Sequence, residues 1–498
     1  MPIKIGWSEI DITPEKGVKI GLDGQFFERV TDEVESRITV TALAVESTDD
    51  RMVIVSCDLV GIGSNLHALV KKKVEDIYPE LKDKIITNAI HTHNSYVYTK
   101  TGTDCGSALD ILQRMLPEWM EYKPLVSSDE MLNPDKALDF LAERISRAAI
   151  EAWQTRKPGF YSNAFGRAAV GMNRRVCYTD GTARMWGDTN QDEFDELEAG
   201  NDSGIEIIYT YDEAKDLSGV IANIACPAQV VEHRSYISSD YWGKVRENLK
   251  KHFGRNICVL ALCSAAGDLC PRDMIRWVSP ETPIDDPNIH RENPAERRAD
   301  PSMFDVSGLK VVGKRVSNEL ISVFEDNPGI LKSEGILIHD TFMLPLPLRK
   351  VSQAEYEDAV RKIEQYIENN KDRQMNFDDS AEMHVFAGTI ARYEFQKNTD
   401  FFEEEIHVIR FGDVAIATNP FELFLNYGNK IRARSPAKQT FLIELACGDD
   451  GYLPTEKAEK GGHYSAYVSS GVTGHEGGNI LVEKTLEHIN RMFKGTEK

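Results

Sequence analysis

Between residues 38 and 95 the chain alternates short β-rich runs with a helical pattern: "ITVTALAVES", "MVIVSCDLVGI", a helix across "NLHALVKKKVEDIYPEL", then "KIITNAIHTHNS". That rhythm points to an α/β domain. It returns after a Gly/Asn/Asp-rich stretch at 199–204, where the strands "GIEIIYTY" and "SGVIANIAC" lead into a helix over "YWGKVRENLKKHF" and a further strand, "ICVLALCSAAGD". Toward the C-terminus "VIRFGDVAIATNPFELFLNYGNKIR" reads as strand, turn and helix, "LIELACGDDGYLPT" as strand and loop, and "NILVEKTLEHINRMF" as a closing helix. The sequence shows neither an internal repeat nor a sharp linker. Residues 1–498 are therefore expected to form one elaborated α/β domain with mixed sheets, helices and long loops over its site.

Two stretches interrupt the rhythm. Residues 280–303 carry five prolines and many charges, and about 100–135 has the character of an insertion. Both read as surface excursions of the kind that commonly cover an active site. The segment "SQAEYEDAVRKIEQYIENNKDR" reads as a solvated surface helix without chemistry.

Composition removes several function classes. A formal net charge of −22 repels phosphate backbones and anionic headgroups, so nucleic acid is not an expected partner. No apolar run is long enough to span a bilayer, and the N-terminal "MPIKIGWSEIDITPEKG" reads as an alternating strand and turn, not a signal peptide. The expectation is a cytoplasmic protein with a small-molecule substrate and no membrane insertion. Eight scattered cysteines without a signal peptide read as reduced thiols, most of them small buried hydrophobes.

Four places could carry chemistry. In "NAIHTHNS", His91 and His93 follow an apolar strand at a spacing that puts both side chains on one face, where they could share a metal or divide binding and proton relay. In "CSAAGDLCPRD", a small-residue turn projects Asp268 and Cys270. In "ATNPFELFLNYG", Asn419, Pro420 and Glu422 suit N-cap, N1 and N3 of a helix, so Glu422 is either a capping-box carboxylate or a site residue at the sheet edge. In "GDDGYLPTEKA", a Gly/Asp loop lifts Tyr452.

Taken in order, these pieces resemble the neutral/alkaline, non-lysosomal ceramidase family, specifically its N-terminal catalytic domain. "GWSEIDITP", "IHTHNS", "GMNRR", "AAGDLCPRD", "NPFELFLNYGNKIR" and "GYLPT" are similar to that family's segments, and the resemblance spans nearly the whole chain. The β-sandwich that follows the catalytic domain in secreted relatives is expected to be absent. The resemblance implies one catalytic zinc held by two histidines, a glutamate and a tyrosine, with hydrolysis of an amide by metal-activated water. It assigns His91 and Glu422 as ligands, Tyr452 as the tyrosine with Tyr464 and Tyr467 as alternatives, and His93 as the neighbour handling protons. Asp268 and Cys270 would line the site, and Arg174 or Arg175 would bind an acidic or oxygen-rich substrate group.

The sequence departs from the family twice. Relatives place the second histidine ligand about eleven residues ahead of an Ile-Ser-x-Asp turn, and that count from Ile237 reaches Cys226. A thiolate binds zinc well, so His91, Cys226, Glu422 and Tyr452 make a reasonable donor set. Three other readings stand beside it: His233 supplies the nitrogen ligand, Cys270 joins the sphere, or the metal has been lost. Cys270 also replaces the family's motif serine. The leading expectation is a zinc-dependent hydrolase of an amide-type bond in a small soluble substrate. Its alternatives are a glycosidase or lyase using Cys270 or a carboxylate, and a non-catalytic binding protein.

Overall fold

A computed structural model describes residues 2–25, 28–100, 107–120, 131–254, 256–276, 305–371 and 373–494. The excursion at 280–303 and much of the 100–135 stretch fall outside the described residues. The chain is mixed α/β and is organised around three sheets, each containing one strand–helix–strand unit whose two strands are parallel.

In the first sheet Arg51–Cys57 pairs in parallel with Ile85–Ala89 through the helix Ser64–Glu75. In the second, Leu217–Ile224 pairs with Cys258–Cys263 through Asp240–Phe253. In the third, Val414–Thr418 pairs with Gln439–Ile443 through Leu425–Arg434. Antiparallel strands extend each unit, including Thr39–Glu46 and Lys4–Asp11, Asp202–Tyr211 and Phe160–Asn173, and Phe401–Phe411 and Leu337–Pro347. The recurrence has no counterpart as a sequence repeat, because it is one of topology and each unit fills its faces with its own residues.

The inner faces of the three sheets share one apolar core, in which Leu43 and Ile54 meet Ile208 and Leu260 and both meet Ile409 and Phe441. The outer faces carry helices: Pro134–Thr155 on the first sheet, Val306–Asp326 on the second and His475–Phe493 on the third. The strands bury both faces here, so the run "MVIVSC" is buried at every position rather than alternating.

The C-terminal ends of the parallel strands converge, and backbone hydrogen bonds stitch them together. Ala89 N donates to Leu445 O at 3.2 Å, Ala228 N to Ile90 O at 3.1 Å, Glu444 N to Cys263 O at 3.1 Å and Gly267 N to Leu423 O at 2.9 Å. Such strand ends are where open α/β folds place their ligands.

The charged segment near 352–373 does form a helix, Gln353–Asn369, but it is not fully solvated. Ala359 and Ile363 are buried against Phe377–Phe395 and Ala108–Met115, making a separate helical cluster. Among the described residues no helix is long and apolar enough to cross a membrane. The described cysteines are all free thiols.

Candidate active site

His91 leaves the strand Ile85–Ala89 in a left-handed conformation, φ 67°, uncommon for a residue with a Cβ. Its Nδ1 lies 2.6 Å from Val60 O. The carbonyl can only accept, so the proton is on Nδ1 and the Nε2 lone pair faces inward. Glu422 Oε2 lies 3.5 Å from that Nε2 and His93 Nε2 lies 3.3 Å from it.

Glu422 is not in a capping box. The helix begins at Leu425, and Glu422–Leu423 form a two-residue strand paired in parallel with Tyr452–Leu453. The site supplies a stronger constraint than the cap: the buried Glu444 carboxyl accepts from Leu423 N at 2.9 Å and Ala266 N at 3.0 Å, holding the Glu422 backbone against the turn before Asp268. The pairing sets Tyr452 directly opposite Glu422. Its hydroxyl is 3.0 Å from that of Tyr464, and burial keeps the Tyr464 phenol protonated, pushed up to about 12. Burial also holds Glu422 above the ordinary carboxylate range, against the pull of His91, Arg174 and Tyr452.

The two arginines of "GMNRR" serve different ends. Arg174 is buried in the site, where it donates to Gln229 Oε1 and Gly267 O, both at 3.2 Å, and lies 3.8 Å from Glu422 Oε2. Arg175 turns away and pairs with Glu198 at 2.5 Å, donating also to the carbonyls of Gly462 and Tyr464 at 2.9 and 3.1 Å. It is the clamp beneath the loop that presents Tyr464, its guanidinium taken up by Glu198 and the loop carbonyls.

Arg174 also fixes the environment of His93. Because Gln229 Oε1 accepts from Arg174, the amide NH2 faces His93 Nε2, 2.9 Å away, while Gln25 Nε2 lies 3.2 Å from Nδ1. Glu232 Oε2 lies 3.4 Å from that Nδ1, and Glu232 Oε1 lies 3.2 Å from His233 Nε2. Burial first, then the neighbouring His91, Arg29, His233 and Arg174, push the His93 pKa well below its ordinary value, so the imidazole is neutral. Arg29 donates to His93 O at 2.6 Å and holds the peptide in place.

Both thiols are buried. Cys226 lies in the second sheet's core with its Sγ 3.5 Å from Val170 O. Burial raises its pKa well above normal, with Cys270 adding to the effect and Arg174 opposing it. Cys270 Sγ is 3.3 Å from Arg272 O, and burial pushes the thiol up to about 12 despite Arg174. Asp268 reaches no reacting position: its Oδ1 accepts from Leu425 N at 2.7 Å and its Oδ2 from Asn173 Nδ2 at 2.9 Å, capping the helix Leu425–Arg434 and anchoring the "GMNRR" strand.

Sequence reading passed over Gln229, Glu232 and Glu444. A carboxylate inside the apolar runs "AQVVEH" and "LIELAC" was the available signal, since an unpaired charge there would cost far more than a strand interior tolerates.

No protein-family model and no curated protein sequence matches the chain. Among solved structures it is similar to one described as ceramidase complexed with C2, with TM-score 0.68 and 14% identity over 99% of this chain and 76% of that one. It is similar too to the neutral ceramidase from Pseudomonas aeruginosa, with TM-score 0.66 and 16% identity over 99% and 75% of the two chains. The fold is that of the neutral ceramidases.

Proposed function

We propose that this chain, folded as neutral ceramidases are, is a zinc-dependent hydrolase of an amide-type bond in a small soluble substrate. The observation that carries the reading is the approach of His91 Nε2 to Glu422 Oε2, 3.5 Å apart, with Tyr452 paired opposite Glu422. Two ligands bound at about 2.0–2.2 Å in a tetrahedral zinc sphere lie about 3.3–3.6 Å from each other. The residues therefore fit the ion: His91 offers a lone pair fixed by the Val60 carbonyl, and Glu422 is a buried carboxyl that a cation would relieve. Three protein donors with one open position is the composition of a catalytic zinc site, and neither Cys226 nor His233 is needed to reach that count.

Bound zinc would polarise a carbonyl and acidify a water. The chain's own residues supply the rest. Neutral His93 accepts a proton at Nε2, and Glu232 beside Nδ1 stabilises the imidazolium that results. Arg174 and the Tyr464 hydroxyl are donors toward charge that develops on a carbonyl oxygen. The net charge of −22 supports a soluble substrate over an anionic membrane surface.

The test is metal analysis of the purified chain with assays on N-acylated amino sugars and short N-acyl amides. His91→Ala and Glu422→Gln should each lose one equivalent of zinc together with hydrolysis. Full zinc content and undiminished turnover in both variants would refute the proposal.

A further inference from the structure

Among the described residues, one group of His, Cys, Asp or Glu side chains brings its donor atoms within 4.8 Å of one another, and it is not the site around His91. It consists of His67 on the helix Ser64–Glu75, Glu405 and His407 on the strand Phe401–Phe411, and Cys447 in the loop after Gln439–Ile443. Glu405 and His407 are two apart on a strand and so share a face. His67, His407 and Cys447 are buried.

We propose that His67, Glu405, His407 and Cys447 form a structural zinc site, separate from the hydrolytic centre and independent of whether that centre holds a metal.

The orientation of the donors carries the proposal. His67 Nε2 and His407 Nε2 lie 3.0 and 2.9 Å from the same Glu405 oxygen, Oε1. The other Glu405 oxygen is taken by Lys71 Nζ at 2.7 Å, so the carboxylate has one oxygen to give. The outer nitrogens of both rings are held from behind. His67 Nδ1 is 2.9 Å from Thr87 Oγ1. His407 Nδ1 is 2.8 Å from His339 Nε2, and His339 Nδ1 is 3.2 Å from Arg51 O. That carbonyl fixes the His339 proton on Nδ1, which leaves His339 Nε2 as an acceptor and fixes the His407 proton on Nδ1. His407 thus presents Nε2 to the common point, in the orientation metal-binding histidines take from their outer hydrogen bonds.

The donor set selects the ion. Two imidazoles, a thiolate and a carboxylate suit zinc and match its four-coordinate structural sites. Zinc bonds of about 2.0–2.3 Å imply donor separations of about 3.3–3.8 Å; the two contacts to Glu405 Oε1, at 3.0 and 2.9 Å, need only open slightly, and all four donor atoms already lie within 4.8 Å of one another. Binding Zn2+ would release the protons held on the inward ring nitrogens and on the thiol, leaving a thiolate and a carboxylate as the anionic donors. Cys447 also adopts a left-handed backbone, φ 63°, a conformation costly for cysteine that persists where its surroundings demand it.

The location gives the site a purpose. The loop ending at Cys447 bridges Asn88 through Ala446, and Ala446 N donates to Asn419 O at 3.0 Å. A metal on Cys447 would brace the strand ends that present His91 and Glu422.

The test compares the full-length chain with Cys447→Ser, His407→Ala and Cys226→Ser by zinc content, cobalt substitution and thermal unfolding. Cys447→Ser and His407→Ala should each lose one equivalent of zinc, and Cys447→Ser should also lose the thiolate-to-cobalt charge-transfer band and melt about 5 °C lower or more. Cys226→Ser should keep the band. Equal zinc in wild type and Cys447→Ser, or a band that disappears with Cys226→Ser alone, would overturn the proposal. Should the Cys447 and His407 variants not fold, metal removal and return on the wild type decides: no thiolate band with cobalt and no rise in melting temperature with zinc would overturn it equally.

Discussion

Around Glu405 both histidines turn a nitrogen inward and both outer nitrogens are held from behind, whereas around Glu422 the histidine stands farther off and Arg174 and Tyr452 lie beside the carboxyl. His67 and His407 share a single carboxylate oxygen at 3.0 and 2.9 Å. His91 approaches Glu422 only to 3.5 Å, and Arg174 lies 3.8 Å from the same oxygen. A closed arrangement saturates its donors and can only stabilise. An open one leaves coordination positions and hydrogen-bond donors available to a reacting molecule, which is the distinction between structural and catalytic zinc. The two clusters belong to one scaffold, linked through the loop of Cys447, whose neighbour Ala446 bridges Asn88 and donates to Asn419 O.

The largest effect expected from breaking this contrast is catalytic. Glu422→Gln should lower kcat/KM by about 10³-fold or more, with a melting temperature near that of the wild type, because it removes the carboxylate that the proposed zinc would need while keeping the shape. Cys447→Ser should show the reverse pattern, a lower melting temperature with turnover at low temperature changed by less than about tenfold. Parallel kinetics and thermal scans on both variants check the pair; matching profiles would erase the distinction.

Next in size is the split between adjacent arginines. Arg175→Met strands the buried Glu198 carboxylate and the carbonyls beneath the Tyr464 loop, so it should destabilise by about 3–5 kcal/mol in urea unfolding. Arg174→Lys keeps a charge near Glu422 but cannot serve Gln229 and Gly267 together, so it should cost about 10–100-fold in turnover with little loss of stability.

The sequence made the strand–helix–strand rhythm legible because two periodicities alternate cleanly along it. The convergence of three such units was not legible, since it depends on which apolar faces meet. At the site, His91, Glu422 and Tyr452 stood out at strand ends, and the fold places them together. Glu422 was obscured by an equally good local account, the helix cap, which failed because the helix starts three residues later at Leu425. Glu232 and Gln229 were hidden because their role is to orient His93, and orientation has no signature in a linear string. The Glu405 cluster was wholly invisible: its four members come from positions 67, 405, 407 and 447, and only strand packing brings them together.

Asp268 tests whether the helix start behind the site is a fixed part of the scaffold. Burial pushes its carboxyl up to about 6, against about 3.9 for an unfolded chain. The folded protein therefore holds this proton more tightly than the unfolded one does. That contribution is fully present below pH ~4 and is lost as pH rises through about 6, amounting to about 2–3 kcal/mol. Asp268→Asn should lack this dependence. Urea unfolding at acidic and neutral pH should show the wild type losing stability relative to the variant as pH rises, and parallel curves would disprove the assignment.

The smallest expected effect concerns Cys270, the thiol that follows the small-residue turn after Cys258–Cys263. A nucleophilic cysteine is ionised near neutral pH and reachable by substrate. Cys270 is fully buried, its thiol is pushed up to about 12, and its Sγ faces the Arg272 carbonyl at 3.3 Å. Arg174 is the largest pull toward thiolate, ahead of Arg272, and it is already engaged by Gln229 and Gly267 and lies beside Glu422. Cys270→Ser should therefore change turnover by less than about tenfold, leave the pH profile in place, and yield no covalent adduct with substrate in either protein. A thousandfold loss on that substitution, or an adduct trapped on the Cys270 sulfur by mass spectrometry, would move the chemistry from metal-bound water to the thiol and make the open cluster a nucleophile's pocket.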